Sequence, residues 1–331
     1  MSLLVINQTN VGDLLSMDEC IKLMRDAFES MAKGEVVLPL RQVMRVPDRR
    51  AVLAMMPGYV ASPETIAAKV ISFYPGNLGT SYDAHQGAVL LFDPENGRLI
   101  ALLDATEITA IRTAAASAVA TDLLARKDAG DLAILGSGVQ ARNHLEAMRR
   151  VRNIKRVRVW SRTPEHTQTF ARREAQRLMT QIDVMDTARD ALEGADIVCT
   201  TTTAKEPVAR GDWISEGAHI NAVGSCAPNA RELDTHAITK SRLFVDWRES
   251  TFKEAGDFLI PKQEGAIDDS HIVGEVGEVL VGESSGRVSD SDITLFKSLG
   301  IATQDAVVAN HVYQRARKTR SGTRLDFGGA R

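Results

Sequence analysis

The stretch LAILGSGVQARNHLEAM, residues 132–148, decides the fold. A short apolar run leads into Gly136-Ser137-Gly138, and residues with helical spacing follow. In this Gly-x-Gly-x-x-Ala pattern Gly136 permits a tight turn, Gly138 lets the backbone approach a pyrophosphate, and Ala141 allows close packing of helix on strand. The unpaired N–H groups at the start of the helix suit the anion. The pattern predicts a dinucleotide site, with a purely structural turn as the alternative.

Apolar strands alternate with helical stretches after residue 131: LAIL, RVRVW, IDVM, DIVCTTT, HINAVGS and RLFVD. This alternation predicts an α/β fold with a Rossmann-type doubly wound parallel sheet. Before residue 127 the pattern differs, with a helix capped by Ser16, short β-like runs and an alanine-rich helix over 106–126, which indicates an α+β region. The last helical pattern, 300–318, either caps the dinucleotide domain or crosses back to the first region.

Composition limits the partners of the chain. The 331 residues carry a formal net charge of −3, with 44% hydrophobic and 25% charged residues. This balance gives no reason to expect nucleic acid or an anionic membrane as partner, and favours small molecules and protein subunits. No segment approaches the ~18 apolar residues of a membrane span. The basic C-terminal segment, 315–331, is either a solvated tail or a phosphate-binding arm.

The three cysteines are scattered and odd in number. This usage predicts reduced thiols in a cytoplasmic protein, and the spacing of the cysteines suggests no metal site.

The end of the strand after the glycine turn indicates which dinucleotide binds. An NAD site usually has an acid there, whereas NADP needs donors or a cation. Here VRVWSRTPEH places Ser161, Arg162 and Thr163 at that position, and no carboxylate comes before Glu165. We therefore favour NADP(H), with NAD(H) possible. The alternative is a solvated arginine between two helix-capping hydroxyls.

Two later strands end in small polar residues. Ligands of doubly wound sheets lie beyond the carboxyl ends of the strands. Thr201, Thr202, Val223 and Ser225 are therefore candidates for the nicotinamide side. Threonine runs are also typical of plain β-structure.

Four motifs in order, ITAIRTAAASAVAT, ILGSGVQARNHLEA, HINAVGSCAPNARELD and LFKSLGIATQDAVVA, resemble the ornithine cyclodeaminase/μ-crystallin family. The resemblance covers residues 37–318. It implies a homodimer in which residues 1–126, with about 304–331, form a discontinuous substrate and dimerisation domain, and residues 127–303 bind the dinucleotide. It also implies chemistry on small α-amino or α-imino acids.

Further cofactor contacts are expected in these motifs. They are Arg112, Thr113, Ser137, Val139, Gln140, Ser298 and Gly300.

The family's substrate-clamping basic residues correspond to Arg41, Lys69 and Arg112. Guanidinium groups can hold the carboxylate of an imino acid through paired hydrogen bonds. Lys69 looks half buried, and desolvation with cationic neighbours would lower its pKa and suit it to proton transfer. The alternatives are a strand lysine that reaches the surface and an ion pair of Arg112 with Glu107 or Asp104.

Cys226 departs from the family pattern. Cyclodeaminase-like and alanine-dehydrogenase-like members have an aspartate at this position, and a neutral thiol accepts poorly from an ammonium group. The ketimine reductase-like branch, with a small uncharged residue there, fits better. Cys226 is a candidate substrate contact, and a nucleophilic role is the weaker alternative. His85 is a second candidate contact, or belongs to a turn edge.

The sequence thus predicts an NAD(P)H-dependent reductase of small α-imino acids such as Δ1-pyrroline- or Δ1-piperideine-2-carboxylate, in which hydride reaches the C=N carbon. One alternative is a redox-neutral, NAD-dependent lyase of the cyclodeaminase or hydroxyproline dehydratase type. Another is a non-catalytic, crystallin-like protein that binds cofactor or ligand.

Overall fold

A computed structural model describes residues 2–47, 49, 51–77 and 80–328. The chain divides into two compact units: residues up to Arg112 together with those from Gly300 onward form the first, and Thr113–Leu299 form the second. Met1 and 329–331, which the predicted first domain and the basic C-terminal segment include, lie outside the described residues.

The described residues form strands with these bounds: β1 Ser2–Ile6, β2 Val36–Val37, β3 Gln42–Val46, β4 Ala51–Ala61, β5 Glu64–Phe73, β6 His85–Phe92, β7 Leu99–Asp104, β8 Asp131–Leu135, β9 Arg156–Trp160, β10 Asp183–Val184, β11 Ile197–Thr200, β12 His219–Ala222, β13 Ser241–Val245, β14 Ile272–Glu275, β15 Ile293–Lys297 and β16 Thr323–Asp326. The helices are α1 Gln8–Leu14, α2 Met17–Ala32, α3 Ala105–Leu124, α4 Val139–Val151, α5 Pro164–Leu178, α6 Ala188–Leu192, α7 Thr235–Thr239, α8 Arg248–Glu254, α9 Gly256–Gln263, α10 Val276–Val281 and α11 Ala302–Thr319.

The sheet of the second unit runs β10-β9-β8-β11-β12-β15-β13-β14, and every neighbouring pair is parallel. Its first five strands follow the 3-2-1-4-5 order of a doubly wound sheet that begins at β8. Helix α4 packs on β8 and β11, and α5 packs on β9 and β10. The predicted Rossmann-type sheet is therefore confirmed. The sequence reading missed β14 and β15.

The sheet of the first unit is mixed, in the order β16-β1-β7-β6-β5-β4-β2, with β3 paired to β4. Strands β3 to β7 pair antiparallel, whereas β1 lies parallel to β7. Helix α11 packs against β4, β5 and β6 and against α2. The last helix therefore crosses back to the first unit, which is the second of the two predicted placements.

The start of α11 comes close to strand β4. A Cβ atom added at Gly58 would lie 3.1 Å from the Cβ of Ala302 and 3.4 Å from its carbonyl carbon. Real Cβ contacts are rarely this short, so glycine lets helix and strand backbones approach. This contact sets the position of the first turn of α11 on the sheet.

Helix α2 begins where the sequence predicts. Ser16 caps it by accepting from the Glu19 N–H, and the Glu19 side chain accepts from the Ser16 N–H, which completes a capping box. The alanine-rich helix α3 begins one residue before the predicted start and ends at Leu124. The division between the two units falls within α3, after Arg112.

Candidate active site

A buried cluster of charged side chains lies in the first unit. The Lys69 ammonium of β5 is 2.7 Å from Asp305 Oδ2, and the Arg112 Nε of α3 donates to Asp305 Oδ1 at 3.1 Å. Relative exposure is 2% for Lys69, 4% for Arg112 and 1% for Asp305. Arg112 also donates from Nη1 to the side-chain oxygen of Gln304, at 3.0 Å. One carboxylate thus holds two cations in a fixed arrangement.

Asp305 lies in the first turn of α11, where the helix dipole favours a negative charge. Burial alone would raise the pKa of its carboxyl group. The charges of Arg112 and Lys69, with their hydrogen bonds, outweigh burial and hold the Asp305 pKa below its usual value. The carboxylate is therefore ionised at neutral pH.

Lys69 is buried, so the alternative of a strand lysine that reaches the surface is wrong. Burial lowers the pKa of its ammonium to about 8, with further lowering by the charges of Arg112 and Arg41, while Asp305 opposes the shift. This agrees with the direction expected from the sequence. The ammonium also lies 3.5 Å from the Thr109 hydroxyl. At neutral pH Lys69 carries a proton that it can release close to physiological pH.

Arg112 forms neither of the ion pairs proposed as alternatives, because its described partners are Asp305 and Gln304. Asp104 instead accepts from the backbone N–H of Glu107, at 2.8 Å.

Arg41 joins the same region from the residue before β3. Its Nη2 donates to the Gly300 carbonyl at 2.8 Å. Gly300 has φ +74°, and a Cβ atom there would lie 2.4 Å from Arg112 Nη1. Glycine at this position therefore serves both the left-handed backbone and the close approach of a guanidinium. The structure brings Arg41, Lys69, Arg112 and Gly300 together.

His85 lies at the edge of this cluster, at the start of β6. The residue is exposed overall, but one side of its ring packs on Phe73, with ring centroids 4.6 Å apart. Desolvation of the ring, followed by the charges of Lys69 and Arg112, lowers the pKa of His85 to about 4. The imidazole is therefore neutral at pH 7.

The glycine turn of the second unit fits a dinucleotide pyrophosphate. Gly136 has φ +126°, and a Cβ atom there would lie 2.6 Å from Thr201 Oγ1. Gly138 caps α4 without any side-chain hydrogen bond, and a Cβ added there would meet no atom within 4 Å. No side chain caps the N-terminus of α4. Its first backbone N–H groups can therefore donate to a phosphate.

The residues predicted to select the cofactor lie at the end of β9. Ser137 Oγ donates to Ser161 Oγ at 3.1 Å, and Ser161 Oγ lies 2.6 Å from the Thr167 hydroxyl. Ser161 therefore joins the glycine turn to α5. Arg162 is exposed, and Thr163 is the N-cap residue of α5 without a side-chain capping bond. The capping alternative for Thr163 is thus not supported, while the hydroxyl of Ser161 has a structural role.

Several of the remaining predicted residues of the second unit follow β11, β12 and β15. Thr201 Oγ1 donates to the Leu135 carbonyl at 3.0 Å, and Ser225 Oγ donates to the Ala230 carbonyl at 2.5 Å. Ser298 is 1% exposed, whereas Cys226 is exposed. The other predicted cofactor residues there have these positions: Thr113 is buried within α3, Val139 and Gln140 begin α4, and Thr202 and Val223 follow β11 and β12.

The sequence reading missed several charged or polar residues. Asp305 and Gln304 complete the cluster around Lys69 and Arg112, and Glu232, Asp257 and Lys297 form a buried network in the second unit. A signal was present for Asp305, because GIATQDAVVA is apolar apart from the polar residues of its first helical turn.

Two kinds of site are absent from the described residues. Searched across these residues, no group of histidine, cysteine, aspartate and glutamate could hold a metal ion. None of the helices built by the same residues is long and apolar enough to cross a membrane.

Comparison with known proteins identifies the relatives of the chain. A profile of the ornithine cyclodeaminase/mu-crystallin family matches residues 1–320. The mouse protein named ketimine reductase mu-crystallin is 41% identical over 286 residues, which cover 86% of this chain and 87% of the relative.

Two solved structures superpose over nearly the whole chain. Thermococcus litoralis Δ1-pyrroline-2-carboxylate reductase, in complex with NADH and L-proline, has a TM-score of 0.95 and 41% identity, and the match covers 97% of this chain and 99% of that one. An archaeal alanine dehydrogenase dimer with bound NAD has a TM-score of 0.93 and 31% identity, with 99% and 100% covered. Both likenesses confirm the predicted fold. The chain belongs to the ornithine cyclodeaminase/mu-crystallin family.

Proposed function

We propose that this protein reduces small α-imino acids, including cyclic ketimines such as Δ1-pyrroline- or Δ1-piperideine-2-carboxylate, with a nicotinamide cofactor. The buried Lys69–Asp305–Arg112 cluster is the observation that carries the proposal. It combines a proton source with a guanidinium, as an imine next to a carboxylate requires. The names of the relatives, a ketimine reductase and a pyrroline-2-carboxylate reductase, support the same class of reaction.

Arg41 and Arg112 hold the substrate carboxylate in this proposal. Asp305 and Gln304 engage Nε and Nη1 of Arg112, which fixes the plane of the guanidinium. The remaining N–H donors of its terminal nitrogens can form charge-assisted bonds to a carboxylate. The protein thereby orients the substrate before reaction.

Lys69 supplies the proton to the imine nitrogen, directly or through water. Its pKa of about 8 keeps it protonated at neutral pH and close to the value that favours transfer. His85 and Cys226 are proposed as further substrate contacts.

The nicotinamide cofactor, when bound, supplies the hydride that reduces the C=N carbon. Gly136, Gly138 and the first turn of α4 hold its pyrophosphate, because this turn admits close backbone approach and offers N–H donors. The nicotinamide side is assigned to Thr201, Thr202, Val223 and Ser225. The remaining contacts in this proposal are Arg112, Thr113, Ser137, Val139, Gln140, Ser298 and Gly300.

A substrate panel tests the proposed function. Oxidation of NADPH and of NADH is measured with Δ1-piperideine-2-carboxylate, Δ1-pyrroline-2-carboxylate, and pyruvate with amines. Turnover of a cyclic imino acid supports the proposal. Release of ammonia from an amino acid without net cofactor consumption identifies the lyase alternative. Cofactor binding without any turnover identifies the binding protein.

We propose NADP(H) as the preferred cofactor, with Arg162 as the residue that contacts the 2′-phosphate. Arg162→Ala is expected to raise KM for NADPH by about 10- to 100-fold, because hydrogen bonds to charged groups contribute about 1.5–3 kcal/mol. KM for NADH should stay unchanged. Steady-state kinetics with both cofactors measure this, and Arg172→Ala, at an exposed arginine of α5, is the control. An equal rise for both cofactors would contradict the assignment.

Arg41→Gln tests the carboxylate clamp. Glutamine keeps an N–H donor for the Gly300 carbonyl but removes the charge. KM for the imino acid is expected to rise by about 10- to 100-fold with little change in kcat, since a charge-assisted bond of about 1.5–3 kcal/mol is lost. Arg45→Gln, an exposed arginine of β3, is the matched control. A normal KM in Arg41→Gln would exclude Arg41 from the clamp.

We further propose that the protein is a cytoplasmic homodimer. Val43, Met44 and Met55 on β3 and β4 are 51%, 58% and 45% exposed, and such apolar side chains suit a subunit interface. The dimeric archaeal relative supports the same assembly. The buried free thiols Cys20 and Cys199 agree with a reducing compartment. Sedimentation of the purified protein tests the dimer.

A further inference from the structure

A second buried charge network lies in Thr113–Leu299, below the ends of β11 and β12. Its members are Glu232, Asp257 and Lys297, with exposures of 0%, 1% and 1%. The network contains two carboxylates and one ammonium group, and the ammonium of Lys297 pairs with Asp257. Burying such groups is costly unless they are paired and hydrogen-bonded, so their contacts indicate what they do.

The Glu232 carboxylate joins the segments that follow two parallel strands. One oxygen accepts from the backbone N–H and the hydroxyl of Thr202, both at 2.7 Å. The other accepts from the Thr200 hydroxyl at 2.8 Å and from the Gly224 N–H at 2.6 Å. Each oxygen thus holds one backbone N–H, from the loop after β11 in one case and from the loop after β12 in the other.

These two loops are also in close contact with each other. A Cβ atom added at Gly224 would lie 2.1 Å from the Thr202 carbonyl oxygen and 2.5 Å from Glu232 Oε1. Glycine at position 224 is therefore required by the space that the carboxylate and the first loop already fill.

The rest of the network fixes Glu232 itself. Asp257 Oδ1 accepts from the N–H groups of Glu232 and Leu233, at 2.8 and 3.0 Å. Asp257 Oδ2 pairs with the Lys297 ammonium at 2.9 Å, and that ammonium donates to the Ser225 carbonyl at 2.6 Å. The loop after β12 is thus held on both sides of Gly224, by Glu232 and by Lys297.

We propose that Glu232 is a positioning residue that fixes the loops at Thr201–Thr202 and Gly224–Ser225 in the arrangement that receives the nicotinamide end of the cofactor. This inference rests on the proposed function, which assigns these loops to the nicotinamide side. In open α/β sheets the ligand site lies at the carboxyl ends of the strands, where these loops stand.

An ionised carboxylate, which accepts at both oxygens, suits this role best. All the groups that bond to Glu232 donate to it, and the two backbone N–H groups cannot do otherwise. A glutamine would place its NH₂ group against one of these N–H groups in either orientation. A protonated carboxyl group would donate from one oxygen, which then accepts less well from the N–H beside it. Loss of the charge therefore releases one loop while the Asp257–Lys297 pair stays intact and electrically balanced.

The first test is cofactor binding by Glu232→Gln in the absence of substrate. NADH is titrated by fluorescence, since it lacks the 2′-phosphate and so does not depend on Arg162. Kd is expected to rise by about 10- to 100-fold, as for loss of a hydrogen bond to a charged group. Glu174→Gln makes the same change at a 0% exposed carboxylate of α5 that pairs with Arg173 and Arg177, and should change Kd by less than about 2-fold.

The second test uses the unaltered protein. Burial raises the pKa of Glu232, the charge of Asp257 raises it further, and that of Lys297 opposes both. The ionisable groups that face this network are Asp257, Lys297 and Cys226. The contacts of Glu232 with the two loops need its ionised carboxylate. NADH affinity should therefore fall as the pH is lowered through the Glu232 pKa, and Glu232→Gln should abolish this dependence.

Equal Kd values for the unaltered protein and Glu232→Gln, or a pH dependence that persists in the variant, would overturn the proposal. A pH-independent Kd in the unaltered protein would do the same, and this measurement does not require the variant to fold. The proposed function fails differently, when the unaltered protein binds NADH but turns over no imino acid.

Discussion

Replacing Lys69 by alanine is expected to lower kcat for imine reduction by about 10²- to 10⁴-fold, the usual contribution of a positioned acid. Lys69 is the buried cation whose pKa of about 8 suits proton release, and His85, with a pKa of about 4, is neutral and cannot replace it. The Kd for NADPH should not change. Reductase assays and a fluorescence titration of NADPH measure the two quantities.

The control for this prediction is Lys22→Ala, at an exposed lysine of α2. Removal of Lys69 leaves Asp305 paired with Arg112, so the buried carboxylate retains a partner in the variant. Turnover equal to that of the unaltered protein would show that the proton comes from elsewhere. A raised Kd for NADPH with normal kcat would place Lys69 in cofactor binding.

Asp305→Asn is expected to change the pH profile of the reaction. In the unaltered protein kcat should fall as the pH rises through about 8, where Lys69 loses its proton. In the variant the Asp305 carboxylate no longer opposes the lowering of the Lys69 pKa by burial and by the charges of Arg112 and Arg41. The alkaline limb should therefore move to lower pH by about 1–3 units, the range that one nearby opposite charge produces. Rate profiles at saturating cofactor and imino acid measure the shift.

The stability of Asp305→Asn should fall as well, by about 3–5 kcal/mol, because two buried cations lose their counter-ion. The double variant Lys69→Met with Asp305→Asn removes one cation together with the carboxylate and should regain part of this loss. Denaturant unfolding gives the coupling between the two positions. Asp26→Asn, at an exposed aspartate of α2, is the control. If the alkaline limb does not move, Asp305 does not control the pKa of the group that titrates there.

The second unit was predictable because its signals are local. Most strands from β8 to β13 contain a short apolar run bounded by turn residues, and the glycine turn after β8 has steric requirements that appear directly in the sequence. β15 was missed although all its residues are buried, since its run ITLFK is short and follows a polar segment that resembles a loop. β1 was missed because its pairing partners, β7 and β16, are distant in sequence.

The Lys69–Asp305–Arg112 cluster was predicted only in part. Arg41, Lys69 and Arg112 were found through family motifs, whereas Asp305 had no local signal that linked it to them. Its contact with Arg112 spans 193 residues, and no spacing rule connects positions so far apart. Glu232 lies in the motif HINAVGSCAPNARELD, but the sequence predicts no role for it, because the four donors around it come from segments that only the folded sheet brings together.

The contact between Gly58 and Ala302 limits how this enzyme can be redesigned for larger substrates. A Cβ atom at position 58 would lie 3.1 Å from the Cβ of Ala302, so β4 or the first turn of α11, which carries Asp305, would have to shift slightly. Larger side chains at position 58 or 302 would thus disturb the placement of this carboxylate. Diversity is better introduced at the exposed position His85, at the edge of the cluster.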